Sequence, residues 1–351
     1  MLSSTVSAGD TATATQHNNL RTDVINAYEL YGDGTDGALN VTSGTTTLDF
    51  NNLPTLTKNY TSVNISAGAT LAFSNVPAQG GIFFMLCQGD VTIAGTVNLS
   101  SCGSDGGAVA TVSRTSDGAT ASAGNDATEP VNNLQQVRAG QNGNGYAAAS
   151  GGYANTSGGS GGANVIATST ASSATGTGGA TAAASGVPVA ITTAIRNVIS
   201  TLGITVGPGA GGGSGGVAVE VNSYSSGTFS ATSGAGGKGG GGLVIGCGGT
   251  FTFTGTINLS GGNAADPSKV FGTIGANYAA VSAAGSGGGA AGTGMCYART
   301  IGTVSGTVTV TGGAASNGTT QQDDGIGGNT EVNASNGTNG AAGSFIITQG
   351  F

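Results

Sequence analysis

The sequence predicts a mainly β protein of stacked short-strand repeats, sandwich-like or solenoid-like, with polyglycine-II-type tracts between copies and a short N-terminal helix. Three observations carry that prediction. Cys87 to Ser100 reads CQGDVTIAGTVNLS and Cys247 to Ser260 reads CGGTFTFTGTINLS, so one structural unit is used more than once. Glycine supplies 70 of 351 residues, about three times its usual share, and much of it falls in Gly-Gly-x runs. Thr15 to Tyr31 carries helical spacing ahead of any strand pattern.

In that first segment Leu20, Val24, Ala27 and Tyr31 fall on one helical stripe. Thr13 or Thr15 is placed to cap its start and Gly32 to end it. Residues 1–37 are therefore expected to form a helical attachment or oligomerisation unit, docking on a base or on sister chains. Packing on the chain's own β domain is the alternative. The Asp-Gly-Thr-Asp-Gly run at 33–37 begins like a calcium loop but lacks the later ligands, and reads as a plain turn.

From residue 38 the period changes to two. The runs at 39–41, 47–50, 62–65 and 70–73 alternate apolar and polar positions, which predicts half-buried strands in a first β region over 38–102. The repeat in its full form begins at Gly80 and again at Gly241; looser copies begin at Gly215 and Gly294. GSFIITQGF at 343–351 matches the opening strand and the Gln-Gly of the first copy, which predicts a strand at a sheet edge with Phe345 and Ile347 as candidates for pairing with a further chain. Two strands of this length are marginal in water, so the copies must stack.

Between copies, SerGlyGly, GlyGlyGly and LysGlyGly triplets place two glycines in every three residues, the repeat of a polyproline-II-type helix. Such helices can pack closely and bond laterally; a flexible linker is the other reading of the same composition. The insert over 103–214 holds a second helical stripe near 188–202, with Val187, Ile191, Ile195, Val198, Ile199 and Leu202 on one face, expected to pack over the end of the stack. A C-terminal repeat and glycine-rich region covers 215–351.

Reactive chemistry is scarce. His17 is the sole histidine and has no linked nucleophile, and the four cysteines have no metal-ligand spacing, so neither catalysis, a metal nor a cofactor is expected. Cys87 and Cys247 hold equivalent repeat positions, as buried apolar residues or as a pair that stacking brings together. Polysaccharide cleavage is the one enzyme class left open, since it needs only two carboxylates; Asp323-Asp324 is the adjacent pair. A net charge of -8 with scattered basic residues argues against nucleic acid, and no apolar run is long enough to insert in a membrane. Tyr146, Tyr153, Tyr224 and Tyr278 lie in or beside small-residue loops and are the candidate ligand contacts. Met1-Leu2-Ser3-Ser4 lacks the basic and apolar parts of a secretory signal, which suggests assembly inside a cell and release by lysis; an unusual secretion route or a removed leader fits equally.

The Gly-Gly-x tracts and the leading segment GDTATATQHNNLRTDVINAY resemble the glycine-rich receptor-binding tips of tailed-phage fibres. The resemblance covers those parts alone, and the Cys-x-Gly repeat is not part of it. It implies a non-enzymatic virion fibre or tip protein, a homo-oligomer such as a trimer, that meets a cell-surface glycan or outer-membrane protein. The alternative from a different class is a structural subunit that polymerises into an extracellular filament or coat.

Overall fold

A computed structural model describes residues 13–109, 111–115, 118–122, 163–165, 171–173, 192–204, 206–215, 217–221, 228–272, 279–323, 329–330 and 336–350. Its architecture is a stack of parallel strands, a layer of glycine tracts leading away from the stack, and small antiparallel sheets at the tracts' far end.

Helix α1 (Ala14–Tyr31) opens the described chain. The stack follows in rungs: β1 (Ala38–Val41) and β2 (Thr45–Asp49), then β3 (Thr55–Tyr60), β4 (Ser62–Ile65) and β5 (Thr70–Ser74), then β6 (Ile82–Cys87), β7 (Val91–Ile93) and β8 (Thr96–Asn98). Before the next rung the chain forms β9 (Thr111–Thr115), β10 (Gly118–Ser122), β11 (Ala163–Val165), β12 (Ala171–Ser173), α2 (Thr193–Leu202), β13 (Val217–Val221) and β14 (Phe229–Thr232). It returns as the rung β15 (Gly242–Phe253) and β16 (Thr256–Asn258), leaves through β17 (Ser268–Val270) and β18 (Ala279–Ala283), and returns as β19 (Gly294–Val304) and β20 (Thr307–Thr309). A further excursion through β21 (Thr319–Asp323) and β22 (Asn329–Thr330) ends in β23 (Phe345–Gln349).

Every pairing inside the stack is parallel, and register is kept from rung to rung except between β15 and β19, where it shifts between Cys247 and Thr250 and between Phe251 and Phe253. One column runs β3-β6-β15-β19-β23, a second β1-β4-β7 and then the later halves of β15 and β19, and a third β2-β5-β8-β16-β20. The repeat frame is thereby explained position by position. Cys87 lies level with Cys247. A Cβ on Gly95 would run into the carbonyls of Ser66 and Ala69, and one on Gly255 into the carbonyl of Gly95, so on these two rungs the corner between second and third columns admits only glycine, whereas the β4–β5 rung has Ala69 there. Val97 and Ile257, then Leu99 and Leu259, fill the interior. Asn98 and Asn258 accept the N–H of Ser100 and Ser260 at 3.1 Å, an Asx turn that ends the third strand and steers the chain into a tract.

The interior between the columns is lined by Phe50, Phe83, Met85, Ile93, Leu71, Ile245, Phe251 and Phe253, with Phe73 packed on Phe83 at 4.9 Å between ring centroids. The first column is apolar on its outer face as well. Ile82, Phe84, Leu86, Val244, Met295 and Tyr297 point outward there and are covered by Ala194, Ile195, Val198 and Ile199 of α2 and by Leu30 and Tyr31 of α1. The second helix therefore lies on the face of the first column and not over the end of the stack, because continuous apolar runs such as Ile82–Leu86 need burial on both sides. It starts later than 188, at Thr193, where Thr192 caps it and Gly203 ends it with φ 62°. Val187, Pro188 and Ile191 lie outside the described residues.

The tracts at 103–107, 206–215, 259–265 and 310–318 run away from the stack, and those at 233–242, 284–293 and 336–344 run back. They bond to one another at steps of three residues. Gly236 and Gly239 donate to Gly107 and Ser104, Gly237 and Gly240 to Gly287 and Ala290, and Gly337, Gly340 and Gly343 to Ser316, Gly313 and Val310. Tract glycines face a neighbouring backbone: a Cβ on Gly212, Gly239, Gly288 or Gly313 would strike a carbonyl of the next tract. Positive φ occurs at none of the described tract glycines.

At the far end, β10-β9-β14-β17 and β13-β18-β21-β22 form two antiparallel sheets, with β13 against β9 and β14, and β17 and β14 against β18. Val217, Phe229, Ala231, Val281 and Ala283 are buried between them, and Phe229 meets Phe271 edge-on at 5.3 Å. β11 pairs with β12 in a separate short hairpin.

Two expectations about the repeat are corrected. The looser copy at Gly215 is not a rung, since its strand β13 pairs antiparallel with β18 in the outer sheets. The C-terminal copy is a strand of the stack, parallel to β19, but Gln349 stands level with Ala298 and so with Cys87, one position out of the Gln-Gly alignment. Rungs also extend further back than the motif, because Tyr60 of β3 occupies the place of Cys87.

Candidate interaction surfaces

Helix α1 begins with a capping box: Thr13 Oγ1 accepts the Gln16 N–H at 3.1 Å and Gln16 Oε1 accepts the Thr13 N–H at 2.8 Å. Its last turn is fastened to the body. The buried Tyr297 hydroxyl donates to the Leu30 carbonyl at 2.6 Å, Glu29 Oε2 accepts the Ala194 N–H at 3.0 Å, and Thr192 Oγ1 donates to the Glu29 carbonyl at 3.1 Å. Arg299 lies 5.7 Å from the centre of the Tyr31 ring. Burial raises the Tyr31 hydroxyl above its ordinary pKa, against the opposing pull of Arg299. Gly246 is the space this arrangement needs, since a Cβ there would run into the Leu30 carbonyl.

The predicted stripe is thus divided. Tyr31 belongs to the body and Ala27 is half-buried, whereas Leu20 and Val24 are 54% and 45% exposed. Ile25 and Tyr28 join them at 45% and 53%. Sequence reasoning missed that Leu20, Val24 and Tyr28 form the outward row; their spacing of four and four was the available signal.

Phe345 and Ile347 pack on the interior of the stack, and Ile346 turns to the α2 side. The surface that β23 presents is its outer backbone edge, as among the described strands it pairs with β19 alone. At the opposite limit of the same column, the 33–37 turn covers β3. Asp36 Oδ2 accepts the Asn59 N–H at 2.6 Å, Asp36 Oδ1 accepts from Lys58 at 2.8 Å, and the Asp36 N–H donates to the Asn59 carbonyl at 2.8 Å. Burial pushes the Asp36 carboxyl up, but the bonds from Lys58 and Asn59 outweigh it and hold the group below its usual pKa. The turn is an edge cap.

Tyr146, Tyr153, Tyr224 and Tyr278, together with Asp324, lie outside the described residues. The described residues that flank Tyr224 are Val221 and Thr228, and those that flank Tyr278 are Gly272 and Ala279.

All four cysteines are buried free thiols. Cys87 and Cys247 are brought side by side and both donate to the Gly89 carbonyl, at 3.5 and 3.4 Å. Burial pushes the Cys87 and Cys102 thiols up to about 11 and raises Cys247 and Cys296 as well. Among the described residues no His, Cys, Asp and Glu group is arranged to hold a metal ion, and no helix is long and apolar enough to cross a membrane. No family model, no curated protein and no solved structure matches the chain.

Proposed function

We propose that the chain is a non-enzymatic structural subunit of a fibre or fibre tip, displayed as a homo-oligomer on a virion or other exterior, that recognises a cell surface. In this reading the tracts are polyglycine-II helices, and they serve as struts between the stack and the outer sheets. The supporting observation is the lateral bonding at steps of three, with backbone in place of side chains between neighbours. A layer of this kind needs no charged or catalytic residues. It sets β13, β14, β17, β18, β21 and β22 at the far end of the tracts, and in this reading that end is where a surface glycan or an outer-membrane protein is met. The exposed row on α1 is the attachment or self-association side.

The second reading, an extracellular filament, is favoured by the outer edge of β23, against which a further strand can add. Electron microscopy of the purified protein, with binding to a panel of bacterial envelopes, separates the two. A closed oligomer whose binding falls at least tenfold in Tyr224→Ala or Tyr278→Ala, at unchanged thermal midpoint, supports the tip. Open helical filaments without envelope binding support the second reading, and new reducing ends from envelope polysaccharide would replace both with a hydrolase. Slow amide exchange over 234–242 is expected in either assembly; rapid exchange there counts against packed glycine helices.

A further inference from the structure

The third column carries a threonine ladder that no other part of the molecule accounts for. Thr45 pairs with Thr70, Thr70 with Thr96, Thr96 with Thr256 and Thr256 with Thr307, one threonine on every rung. Their strand neighbours Leu71, Val97 and Ile257 are fully buried, so by the alternation of a strand the threonines point to the outer face. Two positions along, Asn98, Asn258 and Thr309 stand in register as a second row. Beyond them Ser260 and Thr311 share a hydroxyl contact of 3.2 Å. No Lys, Arg, Glu or aromatic side chain belongs to these outward rows, and Asp49 on the first rung is their one charge.

We propose that this face adsorbs to ice. Parallel strands fix the hydroxyl repeat at about 4.8 Å across the rungs, and successive outward positions stand about 6.6 Å apart along them. The first spacing is close to the repeat of oxygen rows on the prism face of ice. Each contact with a water lattice is weak, so adsorption needs many contacts made at once from a flat, rigid and periodic surface. Here rigidity is built in: a β-branched threonine has a narrow choice of χ1, and stacking between identical neighbours narrows it further. The Asn98 and Asn258 carboxamides are likewise held by their bonds to Ser100 and Ser260. Charged groups keep their own hydration and are rejected from ice, so the lack of charge in the rows beyond Asp49, which lies at their first rung, has a reason that general solubility does not give.

The proposal is independent of cell-surface recognition. The test is thermal hysteresis and ice-recrystallisation inhibition by the purified full chain, with Thr96→Lys and Thr256→Lys as the ladder variants. Thr92→Lys and Thr252→Lys, outward on the adjoining column, are the controls. Crystal shaping by the native protein, reduced more than tenfold in the ladder variants and kept in the controls at equal thermal midpoints, is the expected result. If the ladder variants lose their fold, Thr96→Ser with Thr256→Ser, which keep the hydroxyl and remove the methyl, are expected to weaken the effect. Absence of any effect on ice in the native protein overturns the proposal, as does equal loss in both sets. Retention on crystalline cellulose or chitin that the ladder variants abolish, without an effect on ice, assigns the face to polysaccharide instead.

Discussion

Gly289 lies where tracts converge: its N–H donates to the Gly262 carbonyl at 3.0 Å and its own carbonyl accepts from Gly313 at 2.8 Å. A Cβ at this position would strike the Lys238 carbonyl. Because both sides of the conflict are backbone already bonded to further tracts, no rotamer change relieves it. Gly289→Ala is therefore expected to lower stability by about 3 kcal/mol, the upper part of the range for overpacking. The neighbouring Lys238→Ala removes only an exposed ion pair with Asp105, 2.7 Å long, and is expected to change stability by about 0.5 kcal/mol at most. Urea unfolding of both variants checks the contrast; similar losses would mean that the tracts do not pack as closely as their bonding implies.

Among the elements, α1 and α2 are joined end to end by a side-chain cap. Glu29 supplies an acceptor and a negative charge at the start of α2, where N–H groups are otherwise unpartnered. Removing it in Glu29→Ala is expected to cost about 1 kcal/mol, while Glu29→Gln, which keeps the acceptor, recovers most of that. Thermal midpoints of the two variants measure it, and an equal fall in both would assign the effect to charge alone. This contact joins residues 165 apart in sequence, and nothing in either helix announces it. What local pattern did announce was each helix, the strands β1, β2, β4 and β5 though not β3, and the stacking of the Cys87 and Cys247 copies, because periodicity and glycine corners are short-range properties. The copy at Gly215 misled for the same reason: alternation in Val217–Val221 specifies a strand, and the tract that precedes it decides which sheet the strand joins. In α1, spacing identified the apolar positions but not which of them the body would take, since that is set by Tyr297 and Arg299 far along the chain.

At the scale of the whole molecule, the ionisable groups give an asymmetric response to pH. On the acid side, Asp36 and Asp33 are held below the ordinary carboxylate range, Asp33 by its bonds from Thr35. Their contribution is present above about 3.9, the unfolded value, and is lost only as pH falls through the lower folded values. On the alkaline side the groups are more numerous and sit in both apolar clusters. Cys87 and Cys102 are pushed up to about 11 and Tyr60 to about 12, with Cys247, Cys296, Tyr31 and Tyr297 raised by burial as well. An unfolded thiol ionises near 8.5 and an unfolded tyrosine near 10, so above those values the unfolded chain gains charge that the folded chain refuses. Unfolding then releases protons, and stability falls as pH rises. The stabilisation is complete below about 8.5 and is expected to decline steeply between about 8.5 and 11. Urea midpoints at pH 5, 7, 9 and 10.5 test this: near-equal values at 5 and 7 with a progressive fall at 9 and 10.5 are expected, and thiol labelling should remain slow until the fall begins. A flat profile to pH 10.5, or rapid labelling of Cys87 and Cys247 at pH 8 in the folded protein, would show that the strands around these thiols open to water far more readily than their burial between adjacent rungs allows.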